Sequence, residues 1–135
     1  SGGVTTFYET RSTIGSSLIE RADARAHEVE TTSIDRLLAG RDVNGLVVKL
    51  NIEGAEHRAL RGMEKTALRV DAASILVEVN PPLLAAGGTD VDAMFAALRA
   101  QGFQISYIDL PTQKPVPFPD PLRKGHLLVS RNAAP

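Results

Sequence analysis

The stretch Leu46-Val47-Val48-Lys49-Leu50-Asn51-Ile52-Glu53-Gly54-Ala55-Glu56 decides the fold that this sequence predicts. It opens with a short, nearly unbroken apolar run, in which Lys49 is the one exception. Such a run is typical of a β-strand that is covered on both faces, as in a parallel sheet. Apolar residues then recur with the period of a helix, at Ala59, Leu60, Met63 and Ala67. The stretch therefore predicts a strand, a polar turn and a helix in direct succession.

Three polar residues, Asn51, Glu53 and Glu56, follow the predicted strand. They lie at its carboxyl end, which is the edge where open α/β sheets bind ligands. A second interpretation needs no ligand: the two carboxylates stabilise the positive end of the helix dipole, and Asn51 caps the helix. Sequence position alone favours this capping interpretation, because capping residues are routine.

A second apolar segment, 74–79, predicts a neighbouring buried strand that ends near Glu78 and Asn80. If this strand runs parallel to 46–50, the polar residues at the two strand ends face one crevice. Lys49 lies inside an apolar run, and a buried lysine is costly unless it is paired. We therefore expect an ion pair between Lys49 and Glu78.

The flanking segments predict further elements. Residues 4–9 and 26–31 favour two strands, paired antiparallel. A helix is predicted to begin at Thr32 and to bury Ile34, Leu37 and Leu38. We expect residues 83–88 to form a mobile loop before a helix that begins at Thr89 and buries Val91, Phe95 and Leu98.

The end of the chain predicts an antiparallel hairpin. Its two strands are expected at 103–108 and 126–130, joined by a stiff segment with prolines at 111, 115, 117, 119 and 121 and no regular element of its own. The sequence thus predicts an α/β fold whose sheet is mainly parallel, with an antiparallel C-terminal hairpin and helices packed on it.

Composition narrows the class of protein. A chain of 135 residues is predicted to form a single domain, 1–135, and a net charge of −1 argues against nucleic-acid binding. There is no cysteine, and His27, His57 and His126 lack metal-ligand spacing, so no metal site is expected. We see no signal peptide and no membrane-spanning run, and we expect a cytoplasmic protein without membrane contact.

The segment Lys49-Leu50-Asn51-Ile52-Glu53-Gly54-Ala55-Glu56 resembles the Lys-Ile-Asp-Val-Glu-Gly-Ala-Glu signature of FkbM-type methyltransferases. Residues 31–38 resemble the helix that precedes this signature, 75–79 the strand that follows it, and Gly102-Phe103 with Tyr107 the strand after that. The resemblance extends from about residue 4 to about residue 130. It implies an S-adenosylmethionine-dependent O-methyltransferase with a Rossmann-like (class I methyltransferase) sheet, acting on a small-molecule hydroxyl of a sugar or natural product.

The resemblance also implies roles for individual residues. Asn51, Glu53 and Glu56 are the candidate catalytic residues, although Asn51 stands where the family has aspartate and an amide cannot act as a general base. Glu53 or Glu56 would then be the base, or the reaction would rely on positioning. Glu78, Asn80 and His126 are candidate substrate-binding residues, and Lys49 and Gly54 are candidate structural supports.

The glycine-rich turn that approaches the cofactor in such folds is not recognisable here. Gly2-Gly3 has no strand before it, and Gly87-Gly88 follows a predicted loop. We therefore interpret the chain as the carboxyl-terminal part of a methyltransferase domain, expected to self-associate or to bind a missing amino-terminal segment through an exposed sheet edge. The alternative is a non-catalytic remnant of the fold that acts as a binding or dimerisation module.

Overall fold

The computed structural model describes residues 2–11, 15–70 and 72–131. The strands are β1 (Gly3–Glu9), β2 (Arg25–Thr31), β3 (Leu46–Leu50), β4 (Ala73–Val79), β5 (Gln104–Asp109), β6 (Lys114–Val116) and β7 (Gly125–Arg131). The helices are α1 (Ile34–Leu37), α2 (Glu56–Arg61), α3 (Glu64–Arg69), α4 (Pro81–Ala86) and α5 (Val91–Ala100). This confirms a mixed α/β fold.

The main sheet has five strands in the order β3-β4-β7-β5-β6. β3 and β4 are parallel, as predicted, but β4 with β7, β5 with β7, and β5 with β6 are antiparallel. The prediction of a mainly parallel sheet is therefore wrong, whereas the C-terminal hairpin of β5 and β7 is confirmed. The reason is the connection from β5 to β7, which contains no crossover helix and so returns the chain in the opposite direction.

The first two strands form a separate antiparallel sheet, which confirms their predicted pairing. Phe7 lies opposite His27 in this hairpin, and a backbone bridge from Tyr8 to Ser17 folds the following loop back onto β1. Residues 12–14 of that loop lie outside the described residues.

One face of the main sheet carries the core. Leu50, Val77 and Leu127 are aligned across three strands on this face and belong to one buried cluster with residues of α2 to α5. On the opposite face Val47 is 78% exposed, and Lys49 is also exposed. The prediction that 46–50 is covered on both faces is therefore wrong, because β3 is an edge strand with only one buried face.

The helices differ from the prediction both in number and at their ends. The residues after β3 form two short helices, α2 and α3, with Leu60, Met63 and Ala67 buried as expected. α4 occupies the expected mobile loop, because Pro81 and Pro82 fix a backbone angle that suits a first helical turn. β6 lies in the segment expected to have no regular element.

Helix caps explain two further corrections. Ser33, not Thr32, caps α1 by accepting a hydrogen bond from the backbone N–H of Arg36. Asp90 caps α5 in place of Thr89, since its carboxylate accepts from two N–H groups of the first turn. Leu37 was expected to be buried, but it is 59% exposed because α1 is only a single turn long.

Asp35 joins α1 to α3. Its carboxylate accepts hydrogen bonds from the backbone N–H groups of Lys65 at 3.2 Å and Thr66 at 2.6 Å. Burial acts to raise the pKa of Asp35, but these hydrogen bonds outweigh it and hold the pKa below its ordinary value. The ionised carboxylate therefore stabilises the start of α3.

Candidate functional site

The carboxyl ends of β3 and β4 lie at the same edge of the main sheet, as predicted, because the two strands are parallel and in register. β7 runs the other way, so it begins where β4 ends, and His126 lies directly opposite Glu78. This edge, with residues 51–56, Glu78, Asn80, Lys124 and His126, is called the polar rim below. The rim therefore collects side chains from three neighbouring strands.

Residues 51–56 form a tight turn that Glu56 holds in place. The side chain of Glu56 is buried, with the residue only 2% exposed. One carboxylate oxygen accepts from the backbone N–H of Ile52 at 3.0 Å, and the other accepts from that of Gly54 at 2.9 Å. Glu53 has a positive φ of 53°, a left-handed conformation that costs energy for a side-chain-bearing residue. The two bonds to Glu56 stabilise this strained turn.

The geometry of the turn leaves Asn51 outside the helix. The residue that caps α2 is Ala55, without a side-chain hydrogen bond, and Asn51 is exposed to solvent. The interpretation of Asn51 as a helix cap is therefore wrong. Glu53 is half-buried on the same turn, so the side chains of Asn51 and Glu53 are open to solvent at the polar rim, whereas the carboxylate of Glu56 is buried inside the turn.

Gly54 permits a close contact between this turn and α4. A Cβ atom built on Gly54 would lie 2.5 Å from the carbonyl oxygen of Leu83 and 2.6 Å from Cδ1 of Ile19. Its φ of 98° is in the region that glycine adopts readily. A side chain at this position would therefore clash with the backbone of α4.

Glu78 is the centre of a charged group on the rim. Its side chain is 16% exposed, and its two oxygens lie 3.1 Å from Nζ of Lys124 and 3.6 Å from Nε2 of His126. The predicted pair of Glu78 with Lys49 is wrong: Lys49 lies on an edge strand and extends into solvent, where a lysine needs no partner. Half-buried Asn80 follows Glu78 at the start of α4.

Lys124 is a rim residue that the sequence analysis missed. The hydrogen bond and charge of Glu78 raise the pKa of Lys124, and the charge of Glu53 adds to the same effect. Lys124 therefore interacts electrostatically with Glu53 in the turn after β3 and with Glu78 at the end of β4. The sequence gives little indication that Lys124 belongs to the site, since two basic residues before a strand, as at Arg123-Lys124, are usually solvent-exposed.

The rim offers only part of a site for a nucleoside-sized methyl donor. Asn51, Glu53 and Glu78 supply oxygens that accept hydrogen bonds from hydroxyl and amino groups. A nucleoside base also needs an apolar slot. Of the two apolar residues of the turn, Ile52 is itself exposed and Ala55 is buried in the protein. Within 2–11, 15–70 and 72–131, the residues of this rim do not enclose a donor. No group of three potential metal ligands occurs within those same ranges, and no helix there is both long and apolar enough to cross a membrane.

Comparison with known proteins identifies the domain. A sequence model described as the methyltransferase FkbM domain matches residues 3–105 of the 135-residue chain. No curated protein and no solved structure gives a significant match. The match includes the turn 51–56 and the strand that carries Glu78, and it ends before β7.

Proposed function

The chain belongs to the FkbM methyltransferase domain family, and we propose that it takes part in the transfer of a methyl group from S-adenosylmethionine to a hydroxyl of a small molecule. The acceptor class proposed is a sugar or a hydroxylated natural product. The observation that carries the proposal is the polar rim, where the turn 51–56 and the Glu78 group lie together at one sheet edge. Family membership implies the methyl donor, and the rim supplies hydrogen-bonding groups for an acceptor.

The rim residues have different parts in this proposal. Asn51 is exposed and orients the acceptor by hydrogen bonds, since an amide both donates and accepts but does not titrate. Glu53, half-buried beside Lys124, binds a hydroxyl or amino group. Both oxygens of Glu56 already accept backbone hydrogen bonds, so it supports the site from inside. The donor, when bound, supplies a methyl group on a positively charged sulfur.

The sheet and its rim also support a Rossmann-like assignment. The order strand, helix, strand, helix, strand, strand from β3 onward agrees with the second half of a class I methyltransferase sheet, apart from the short strand β6.

The test is transfer of a labelled methyl group from S-adenosylmethionine to methyl α-glucoside and to phenol by the full chain. We expect methyl ether products and a loss of kcat/KM of about 10-fold in Glu53→Gln, the size expected for one lost charge-assisted hydrogen bond of about 1.5 kcal/mol. Glu64→Gln is the matched control, because Glu64 is an exposed residue at the start of α3. Methylation of nitrogen or sulfur acceptors only, or no transfer at all, would contradict the proposal for this chain.

A second candidate function is a non-catalytic binding or dimerisation module. The observation that favours it is the exposed edge strand β3, on which Val47 is 78% exposed beside an open sheet face. An edge with free backbone groups pairs readily with another chain. Tight binding of S-adenosylmethionine measured by calorimetry favours the enzyme, whereas self-association without donor binding favours the module.

A further inference from the structure

A cleft of about 740 Å³ lies between the β1–β2 hairpin and the helices α2 and α3. Its apolar lining includes Ile34, Ile52 and Ala59. The volume is within the usual range for small-molecule sites, about 300–1,000 Å³, which combine an apolar lining with a few convergent polar groups. This cavity, called the hairpin cleft below, therefore has the size and the apolar lining of a small-molecule site.

Two arginines of α2 supply positive charge to the hairpin cleft. Arg58 and Arg61 both line it and are three residues apart, so their side chains leave the helix on the same side. In the part of the chain that the structure describes, neither of them forms an ion pair. Like charges at this spacing repel each other, and an anion bound between them would remove that repulsion.

The acidic residues of the cleft leave these two arginines unneutralised. The carboxylate of Asp35 accepts hydrogen bonds from backbone N–H groups of α3, and the nearby charge of Lys65 helps to lower its pKa. Glu64 is exposed at the start of α3. Arg58 also borders an adjoining cavity of about 260 Å³ that contains Glu20, again without an ion pair. The wall formed by α2 is therefore electropositive.

Hydroxyl groups line the other wall of the cleft. The hydroxyl of Thr31 donates to the backbone carbonyl of Gly3, and that of Ser33 accepts from the N–H of Arg36, so both already have a structural partner. Thr5 and Thr32 line the same wall. Their hydroxyls can donate to an anionic oxygen or accept from a sugar hydroxyl.

The hairpin cleft reaches the turn 51–56 of the polar rim. Ile52 and Ala55 belong to that turn and line the cleft, and Asn51 directly precedes Ile52. A rise of 1.5 Å per residue along α2 places Arg61 about 9 Å from Ala55. One small molecule can therefore contact the two arginines at one end and the turn at the other.

We propose that the hairpin cleft binds the methyl acceptor and that this acceptor is an anionic, hydroxylated small molecule. The inference rests on the proposed function and names its acceptor class. A carboxylate or phosphate group pairs with the guanidinium groups of Arg58 and Arg61, which match the geometry of both anions. The apolar face of the molecule lies on Ile34 and Ala59, and its hydroxyl end lies over Ile52 beside Asn51.

The inference is tested by binding, without any methyl donor. The full chain is titrated at low ionic strength with glucuronate, glucose 6-phosphate and glucose, and backbone amide signals are followed by NMR. We expect all three sugars to shift signals of Ile34, Ile52 and Ala59. At least one of the two anions should bind about tenfold more tightly than glucose, as expected for one charge-assisted hydrogen bond, and the tighter anion identifies the charged group of the acceptor.

A double variant removes the two positive charges. In Arg58→Gln/Arg61→Gln the anions should bind no more tightly than glucose, whose own binding should be unchanged. Arg25→Gln/Arg41→Gln is the matched control, because it changes the net charge equally at two exposed arginines that do not line the cleft. If the double variant fails to fold, each single variant decides the test, since each should weaken anion binding about threefold.

Three results would overturn the inference. They are equal binding of the anions and glucose, shifts confined to other surfaces, and unchanged anion binding in the double variant. The last result would assign the two arginines only to the carboxyl end of α2, where the helix dipole favours positive charge. Because no donor is present, anion binding without methyl transfer would contradict the proposed function, whereas the anion site itself would stand.

Discussion

The buried carboxylate of Glu56 leads to a prediction that separates support from catalysis. Glu56→Gln keeps one oxygen, so one of the N–H groups of Ile52 and Gly54 loses its acceptor and faces an amide NH₂ instead. Leaving a buried donor unsatisfied costs about 1–3 kcal/mol. We therefore expect the free energy of unfolding to fall by about 2 kcal/mol. For a 135-residue domain this corresponds to a fall in melting temperature of about 6–10 °C.

The assay is thermal and urea unfolding followed by circular dichroism, with Glu64→Gln as the control. Glu64 also begins a short helix but is exposed, so its substitution should change stability by no more than about 0.5 kcal/mol. Wild-type stability in Glu56→Gln, together with lost methyl transfer, would refute the structural role. It would instead assign Glu56 to the chemistry.

Three further predictions concern the turn, a helix cap and the sheet edge. Gly54→Ala should lower the free energy of unfolding, measured by urea titration, by about 2 kcal/mol or more, because the new Cβ would clash with the backbone of Leu83. Gly40→Ala is the control: Gly40 also has a positive φ but lies in open space, so the same titration should show a loss of only about 1 kcal/mol. Asp35→Asn should lose about 1 kcal/mol at neutral pH. Since the folded pKa of Asp35 is lowered, its contribution is present above 3.8, its ordinary value, and unfolding curves of variant and wild type should converge as pH falls below that value. Val47→Glu should weaken the self-association expected of the β3 edge, and a single monomeric species of the unmodified chain in sedimentation velocity would contradict that expectation.

The sequence predicted the centre of the fold because its signals there are local. A short apolar run followed by a helical period was sufficient for β3 and for the inward side of α2 and α3. It was also sufficient to place residues 51–56 and Glu78 at one edge, since parallel pairing brings carboxyl ends together. The sequence did not show that only one face of β3 is buried. An apolar run such as 46–50 is compatible both with an edge strand and with a central strand. Lys49, which shares the exposed face with Val47, was the one local sign of it.

The composition of the candidate site depended on long-range pairing. Lys124 and His126 reach Glu78 only because β7 lies beside β4, and this pairing joins residues about 46–48 positions apart. The spacing of residues along the sequence does not predict a contact between strands that are this far apart in the chain. The difference between Glu53 and Glu56 was equally hidden, because both follow the same strand. In the folded turn, Glu53 is half-buried with a positive φ, whereas the buried carboxylate of Glu56 accepts two backbone hydrogen bonds.

β7, the last strand along the described residues, joins the two parts of the main sheet. β4 and β5 have no direct pairing, and each bonds to a different side of β7. β4 can pair with β3, and β5 with β6, before residues 125–131 are made, but until then β4 and β5 each keep one open backbone edge. Nascent chains that stall before Gly125 are thus expected to depend on chaperones or to aggregate. A deletion that removes residues 125–131 therefore takes a strand from the middle of the sheet, not from its edge.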